Sequence, residues 1–148
     1  LLLRSFGVDA VVYLQDELPD RMKSLVLGLE VVHSIPERSF SAAISVDTAT
    51  RPRIGKCVEK FVSSADVLIN IDHHTSNLGW GDINHIDSQA SATAEIIASL
   101  IDVWAVEPGA AVANLLYAGI LEDTGEFRFS NTRPASLRAA GCFRPHWG

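Results

Sequence analysis

Apolar residues follow two different periodicities along the chain, and each predicts one kind of element. Short runs rich in Val, Ile and small residues are typical of strands and predict them over 9–15, 40–48 and 67–71. Apolar residues at helical spacing predict helices over 1–6, 21–27, 54–62, 91–104 and 112–122. Strands and helices therefore alternate along most of the sequence.

This alternation predicts the fold class. Strands separated by helices form βαβ units, whose strands lie parallel in one sheet with helices on both faces. The predicted strands over 40–48 and 67–71 are nearly continuous in apolar or small residues, which is typical of strands covered on both sides. With 148 residues, 47% of them hydrophobic, the chain has enough material for the core of one α/β domain.

Polar groups follow two of these strands at the points where each strand is predicted to end. Asp47 directly follows one apolar run, and Asp72, His73 and His74 directly follow the other. The carboxyl ends of parallel strands lie at the same rim of a sheet, where ligands bind in open α/β folds. We therefore expect these side chains to lie close together.

A third acidic group is Asp123, which we expect in a loop just past the helix over 112–122. Thr124 and Gly125 follow it and favour a tight turn close to a bound group. Carboxylate and imidazole together suit Mn, Fe or Zn, whereas calcium prefers oxygen ligands alone. The sequence thus predicts a transition-metal site.

Each of these residues also has a simpler interpretation. An Asp at a strand end, such as Asp47, often forms a turn or caps a helix. An Asp followed by two His at the end of a buried strand is harder to explain in this way, because buried imidazoles need polar partners. The other histidines have no such neighbours and are interpreted as ordinary: His33, His85 and His146.

Charge and composition narrow the classes of function. The net charge of -6 argues against a binder of long duplex DNA, because affinity for a phosphate backbone comes from clustered Lys and Arg. The two cysteines are too few for a disulfide framework and lack the spacing of metal ligands, so a cytoplasmic location is expected. No apolar run approaches the roughly 18 residues that a membrane span needs. The chain begins with Leu1 rather than Met, and we expect it to be part of a longer one.

Four motifs resemble those of the DHH phosphoesterases in their order and spacing. INIDHHTSN resembles the family's signature, AISVDTATRPRIG its preceding Asp-containing motif, DSQASATAEII its next helix opening and GILEDTGEFRFSNT its last metal motif. The DHH triplet alone would be a weak signal, but four motifs in the family's order are specific. The resemblance points to the RecJ-related branch of bacterial and archaeal enzymes that hydrolyse very short RNAs, linear dinucleotides or 3′-phosphoadenosine 5′-phosphate.

The resemblance implies two Mn²⁺ ions in the intact family site, with Mg²⁺ or Co²⁺ as alternatives. Asp47 would bridge the two ions, and His73 and Asp123 would complete the coordination of one of them. Asp72 would orient an imidazole without touching the metal. Such a pair of ions activates a water molecule and neutralises charge that develops on a phosphoryl oxygen.

The resemblance also implies contacts to the substrate, a short RNA or a nucleotide phosphate. His74 would face the scissile phosphate, and Ser91 and Thr124 would donate hydrogen bonds to phosphate or ribose. Asn77 is expected to hold the loop after the DHH triplet, because Asn favours local backbone hydrogen bonds.

Two parts of the family pattern are not found in the 148 residues. The first Asp-x-Asp motif, with its strand, would precede Leu1, and the DHHA1-type substrate domain would follow the last residue. We therefore expect a partial DHH catalytic domain over 1–148 that is weakly active or inactive and holds at most one metal ion. The strand of the first motif would otherwise cover a sheet edge, and an exposed edge favours a homo-oligomer. The tail over 138–148 is expected to be neither a helix nor a linker.

Three other classes of function stay open at this point. A basic cluster would favour an inorganic pyrophosphatase of the same superfamily. Large flanking domains would favour a single-strand exonuclease. A non-catalytic module would bind nucleotide without metal. A plain α/β scaffold would use the His pair only structurally and would bind no Mn²⁺.

Overall fold

The computed structural model of the chain describes residues 1–26 and 29–143. Helices in these ranges are α1 (Leu2–Ser5), α2 (Asp20–Lys23), α3 (Val58–Ser63), α4 (Thr93–Trp104), α5 (Ala110–Thr124) and α6 (Pro134–Cys142). Strands are β1 (Val12–Tyr13), β2 (Val31–Val32), β3 (Ala43–Val46), β4 (Leu68–Asp72) and β5 (Ile83–Ile86). Two short 3₁₀ turns cover Ser24–Val26 and Arg51–Ile54.

Every strand pairing among the described residues is parallel. Strands β3, β4 and β5 form a three-stranded sheet in that order, and β1 pairs with β2 in a separate two-stranded sheet. The prediction of an α/β fold with parallel strands is therefore confirmed. The strand predicted over 9–15 is shorter than expected, since only Val12–Tyr13 pairs.

The register of β3 against β4 determines where the site lies. Ala43 pairs with Leu68 and Val46 with Ile71, so the two strands end at the same level. The backbone N–H of Asp47 extends this ladder by one more hydrogen bond, of 3.0 Å, to the carbonyl of Ile71. Residues that follow the two strands therefore emerge side by side at one rim.

Helices α4, α5 and α6 pack against one another around a small apolar core. One buried cluster contains Ile101 of α4, Leu116 of α5 and Phe143 after α6. A second contains Ile120 of α5 and Ala140 of α6. This packing brings the first residue of α4 and the last turn of α5 to the rim where β3 and β4 end.

Several predicted elements differ from the observed ones. The helix expected over 54–62 begins with a 3₁₀ turn, and α3 proper starts at Val58 because the positive φ of Gly55 interrupts the helix. The helix expected over 21–27 is divided between α2 and a 3₁₀ turn, and its last residue lies outside the described residues. The short strands β2 and β5 were not predicted, because neither shows a clear apolar alternation over four or more residues.

The interpretation of the tail as non-helical is wrong for its first part. Residues up to Cys142 form α6, which starts with Pro134 at a position where a missing N–H costs nothing. The backbone N–H of Arg133 donates to Oγ of Ser136, an interaction typical of a capped helix start. Residues 144–148 lie outside the described part of the chain.

Strand β3 lies at one side of its sheet and buries only alternate residues. Ala43 and Ser45 are buried, whereas Ile44 and Val46 are 36% and 52% exposed. Among the described residues, no helix is long and apolar enough to cross a membrane.

Candidate metal centre

The ends of β3 and β4 bring the sequence-predicted metal ligands together. Nε2 of His73 lies 3.4 Å from Oδ1 of Asp47 and 3.5 Å from Oδ2 of Asp123. Asp47 follows β3 and His73 follows β4, while Asp123 comes from α5. Three elements far apart in sequence thus bring two carboxylates to the same imidazole.

Asp123 reaches this point from a helix and not from a loop, which corrects the prediction. Helix α5 continues to Thr124 and ends where Gly125 adopts a left-handed conformation with φ of 55°. The hydroxyl of Thr124 donates to the carbonyl of Ile120, one turn earlier, and stabilises this last turn. Asp123 is therefore held by regular helical geometry.

The imidazole of His73 is oriented to use Nε2 as a ligand atom. Its Nδ1 lies 3.3 Å from the backbone carbonyl of Ala90. A carbonyl only accepts hydrogen bonds, so Nδ1 carries the proton and Nε2 keeps its lone pair. A carbonyl behind the ring is the arrangement that commonly orients a metal-binding histidine.

The residues present fit a divalent transition metal. A cation about 2.1 Å from each of its donors holds neighbouring donors about 3.0–3.4 Å apart, and the two contacts of His73 are close to this range. One possible ligand atom from each of Asp47, His73 and His74 lies within 4.8 Å of the others. Mixed carboxylate and imidazole donors favour Mn, Fe, Co or Zn over Ca.

Asp72 lies behind this cluster, fully buried, and contacts His74. Its Oδ1 accepts hydrogen bonds from Nδ1 of His74 at 2.7 Å and from the backbone N–H of His73 at 2.9 Å. Its Oδ2 accepts a hydrogen bond of 2.6 Å from Nδ2 of Asn77. Burial by itself would raise the pKa of Asp72, but these hydrogen bonds and the charge of His74 outweigh it and lower the pKa. Asp72 is thus an anion that fixes the proton of His74 on Nδ1.

The pKa of Asp123 shifts in the opposite direction. Burial is the main cause of the rise, and the nearby negative charge of Asp47 adds to it. His73 and His74 lower the pKa, but by less. Two carboxylates that repel each other across one imidazole are stabilised when a cation lies between them.

Ser91 and Thr124, which the resemblance implied as substrate contacts, are enclosed by the protein. Ser91 is 1% exposed, and its hydroxyl contacts the carbonyl of Asn131 and Oγ of Ser136. Thr124 is fully buried, and its hydroxyl also accepts from the backbone N–H of Phe127. Both hydroxyls hold neighbouring segments together, and their role in substrate binding stays a prediction.

Two polar residues at the site, Thr93 and Asn70, were not singled out in the sequence. Thr93 donates a hydrogen bond of 2.8 Å to Oδ1 of Asp47, and Asn70 lies fully buried in the middle of β4. An Asn inside an apolar strand could have been noticed as costly to bury. Among the histidines interpreted as ordinary, His33 and His85 are exposed, and His146 lies outside the described residues.

Comparisons with known proteins identify relatives of this chain. The chain is 43% identical over 98 residues to the bifunctional oligoribonuclease and PAP phosphatase NrnA of Thermus thermophilus, which covers 66% of this chain and 28% of that protein. It is 38% identical over 130 residues to the protein of the same name from Bacillus subtilis, which covers 83% of this chain and 39% of that protein. The chain therefore spans well under half the length of either relative.

A solved structure supports the fold. An exopolyphosphatase-related protein from Bacteroides fragilis superposes with a TM-score of 0.85 over 95% of this chain and 44% of that protein, at 18% identity. The DHH family, N-terminal domain, matches residues 4–120. This match covers most of the chain, including the ends of β3 and β4 with Asp47, His73 and His74, and stops three residues before Asp123, so the chain belongs to the DHH family.

Proposed function

We propose that this chain carries a divalent-metal site of a phosphoesterase that hydrolyses short oligoribonucleotides, linear dinucleotides or 3′-phosphoadenosine 5′-phosphate. The observation that carries the proposal is the contact of one imidazole, His73, with two carboxylates from different elements, Asp47 and Asp123. The names of the relatives from Thermus thermophilus and Bacillus subtilis support the substrate class.

Asp47, His73 and Asp123 would hold the metal, which we propose to be Mn²⁺, with Mg²⁺ or Co²⁺ as alternatives. A divalent cation bound there supplies a low-pKa water and positive charge to offset the charge of a phosphoryl group. The side chains of Asp47 and Asp123 are 47% and 33% exposed, so a ligand reaches them from solvent. Both carboxylates also line a cleft of about 360 Å³ between the sheet and the helices.

His74 would contact the substrate phosphate. Its Nδ1 proton is committed to Asp72, so Nε2 is the atom that remains for a ligand. In its protonated form the ring donates from Nε2 and stabilises negative charge on a phosphoryl oxygen. Oδ1 of the buried Asp72 lies 2.7 Å from Nδ1 of His74 and fixes the orientation of the ring.

The proposed partners are small and anionic. The net charge of -6 disfavours long polyanions, whereas a nucleotide or short RNA needs only the local charge of the bound cation. Both cysteines are free thiols, which is consistent with the cytoplasmic location that we propose.

The test uses the 148-residue chain, Mn²⁺ and three substrates offered separately: a labelled RNA dinucleotide, 3′-phosphoadenosine 5′-phosphate and pyrophosphate. We expect binding of at most one Mn²⁺ and slow, Mn²⁺-dependent hydrolysis of the first two substrates. His73→Ala should remove both the bound Mn²⁺ and the hydrolysis, because it removes the imidazole nitrogen that lies between the two carboxylates. His85→Ala, an exposed histidine on β5, is the matched control and should leave both unchanged.

Two results would contradict the proposal. Bound Mn²⁺ that persists at wild-type affinity in His73→Ala would mean that the metal lies elsewhere. Preferential hydrolysis of pyrophosphate would assign the chain to a different activity of the same superfamily.

A further inference from the structure

The backbone of Asp47 has a conformation that needs outside support. Its φ is 57°, in the left-handed region, which costs a residue with a Cβ about 1 kcal/mol or more. Asp tolerates this region better than most residues, but only surrounding contacts keep it there. The N–H of Asp47 bonds to Ile71, and the hydroxyl of Thr48 donates to the carbonyl of Val46 at 3.0 Å. These contacts hold the N-terminal side of Asp47.

The C-terminal side is held through the carbonyl of Thr48, the next residue. Three side-chain donors point at this one oxygen: Nδ2 of Asn70 at 3.2 Å, Nδ2 of Asn77 at 3.3 Å and Nε1 of Trp80 at 2.9 Å. All three come from β4 or the segment just after it. The segment that carries the DHH triplet therefore holds the backbone that follows Asp47.

Asn77 connects this carbonyl to the other half of the site. Its Nδ2 has two protons and three nearby acceptors, of which Oδ2 of Asp72 at 2.6 Å and Oδ1 of Asn70 at 2.7 Å are the closest. Its Oδ1 accepts a hydrogen bond of 2.9 Å from the N–H of Gly79, which fixes the orientation of the amide. One side chain thus contacts groups on both sides of the site.

The burial of these amides costs free energy unless their polar atoms are hydrogen-bonded. Asn70 is fully buried and Asn77 is 8% exposed. A buried amide group without partners costs about 2 kcal/mol or more, so the network has to be nearly complete to be tolerated. A Leu at position 70 would remove one donor to the carbonyl of Thr48 and the acceptor for Nδ2 of Asn77.

We propose that Asn70 and Asn77 form an amide clamp that fixes Asp47 in its left-handed conformation and sets its position relative to Asp72 and His74. Both are positioning residues, since neither contacts the metal ligand atoms. The clamp rests on the proposed metal site for its role, because a metal centre tolerates ligand displacements of only about 0.5 Å. Trp80 contributes the third donor to the same carbonyl.

The first readout is the conformation of Asp47 in the metal-free chain. The ¹³Cα and ¹³Cβ chemical shifts of Asp47 and Thr48 report their backbone angles without any bound ion or substrate. In Asn77→Leu, which is close to isosteric, we expect these shifts to move toward extended values. Trp80→Phe keeps an aromatic side chain but removes the indole N–H, the donor nearest to the carbonyl of Thr48 at 2.9 Å, so it should move the same shifts in the same direction.

The second readout is the affinity for Mn²⁺, followed by the loss of the free-ion signal in electron paramagnetic resonance. Loss of groups that orient ligands typically weakens metal binding about 10- to 100-fold, and we expect this for Asn77→Leu. Asn84→Leu is the matched control. Asn84 lies beside Asn70 in the adjacent strand, but it is exposed, and its side chain bonds to the backbone of Gly81 and not to Thr48. Its substitution should leave both readouts unchanged.

The outcomes separate the clamp from the proposed function. Absence of Mn²⁺ binding in the wild-type chain would contradict the proposed function, while the Asp47 shifts would still decide the clamp. Unchanged Asp47 shifts in a folded Asn77→Leu variant would overturn the clamp, whatever the metal affinity. If Asn77→Leu does not fold, Trp80→Phe decides in the same way: shifted Asp47 resonances support the clamp, and wild-type resonances overturn it.

Discussion

The hydroxyl of Thr93 donates a hydrogen bond of 2.8 Å to Oδ1 of Asp47, the same oxygen that lies 3.4 Å from Nε2 of His73. Thr93 is the first residue of α4 and is 5% exposed, so packing of the helix fixes the position of its hydroxyl. The side chain of Asp47 is itself half exposed, so burial alone does not fix its carboxylate. A buried donor therefore restricts the proposed metal ligand to one rotamer.

Replacement of Thr93 by Val should weaken Mn²⁺ binding by about tenfold, because the isosteric side chain keeps the packing and removes only the donor. The measurement is a titration with Mn²⁺ of chains whose thermal unfolding shows them to be folded. Thr93→Ser retains the hydroxyl and should bind within about twofold of the wild-type affinity. Equal affinity in the Val and Ser variants would show that the hydrogen bond does not orient Asp47.

Local pattern in the sequence was sufficient to predict the elements that carry the ligands. Strand β4 and helices α4 and α5 were expected within a few residues of their observed bounds, because each has a clear apolar period. The convergence of Asp47 with His73 followed from the rule that parallel strands end at one rim. These features depend on neighbours in the sequence or on a general rule of topology.

The supporting contacts could not be predicted in the same way. Thr93 is 46 residues from Asp47, and Asn70 is 22 residues from Thr48, so only the packed fold brings the partners together. Packing also decides whether a hydroxyl near a functional motif faces a ligand or the interior of the protein. Thr124 lies beside Asp123 in the sequence, yet its own side chain turns into the helix.

Thr124→Val tests whether this hydroxyl is structural. Loss of its bonds to the carbonyl of Ile120 and the N–H of Phe127 should lower the free energy of unfolding by about 1–3 kcal/mol. The KM for a dinucleotide should stay unchanged, because the buried hydroxyl reaches no ligand. Denaturant unfolding and steady-state kinetics measure the two quantities. Thr50→Val, at an exposed position, is the control and should change stability by no more than about 0.5 kcal/mol.

A raised KM with unchanged stability would instead support the substrate contact that the family resemblance implied for Thr124. The two interpretations predict a change in different quantities, stability in one case and KM in the other, so one variant distinguishes them.

Tyr13 makes stability depend on pH in the alkaline range. Burial, followed by the neighbouring Cys57 and Asp16, raises its pKa to about 12, above the ordinary value near 10. No described group accepts a well-aligned hydrogen bond from its buried hydroxyl, although the thiol is close enough to affect the pKa. The unfolded chain thus releases this proton at lower pH than the folded chain.

The free energy of unfolding should therefore fall as the pH rises from about 10 to about 12, and the contribution of Tyr13 is fully present below pH 10. The loss should reach no more than about 2 kcal/mol, since the ring is partly exposed to solvent. Tyr13→Phe has no group to ionise and should lack this component. Denaturant unfolding at a series of pH values measures the difference between the two chains. Parallel plots of the free energy of unfolding against pH for the two chains would contradict a raised pKa of Tyr13.

Gly119 permits the close approach of α5 to α4, the two helices that carry Asp123 and Thr93. A Cβ at position 119 would lie 2.8 Å from Cβ of Ala94, too close for two carbon atoms that are fixed to helix backbones. Either the helices move apart or strain remains. Gly141 offers a comparison, because it also lies in a helix but would place a Cβ in open space.

Gly119→Ala and Gly141→Ala should consequently change stability in opposite directions. Both gain about 1 kcal/mol from the higher helix propensity of Ala. At position 119 we expect the overlap with Ala94 to cost more than this gain, up to about 3 kcal/mol. Urea unfolding should give a lower midpoint for Gly119→Ala and a higher one for Gly141→Ala.

Because displacement of α5 also moves Asp123, Gly119→Ala should weaken Mn²⁺ binding as well, whereas Gly141→Ala should not. Stabilisation by both substitutions would show that the two helices separate at no cost and that their contact does not position the site.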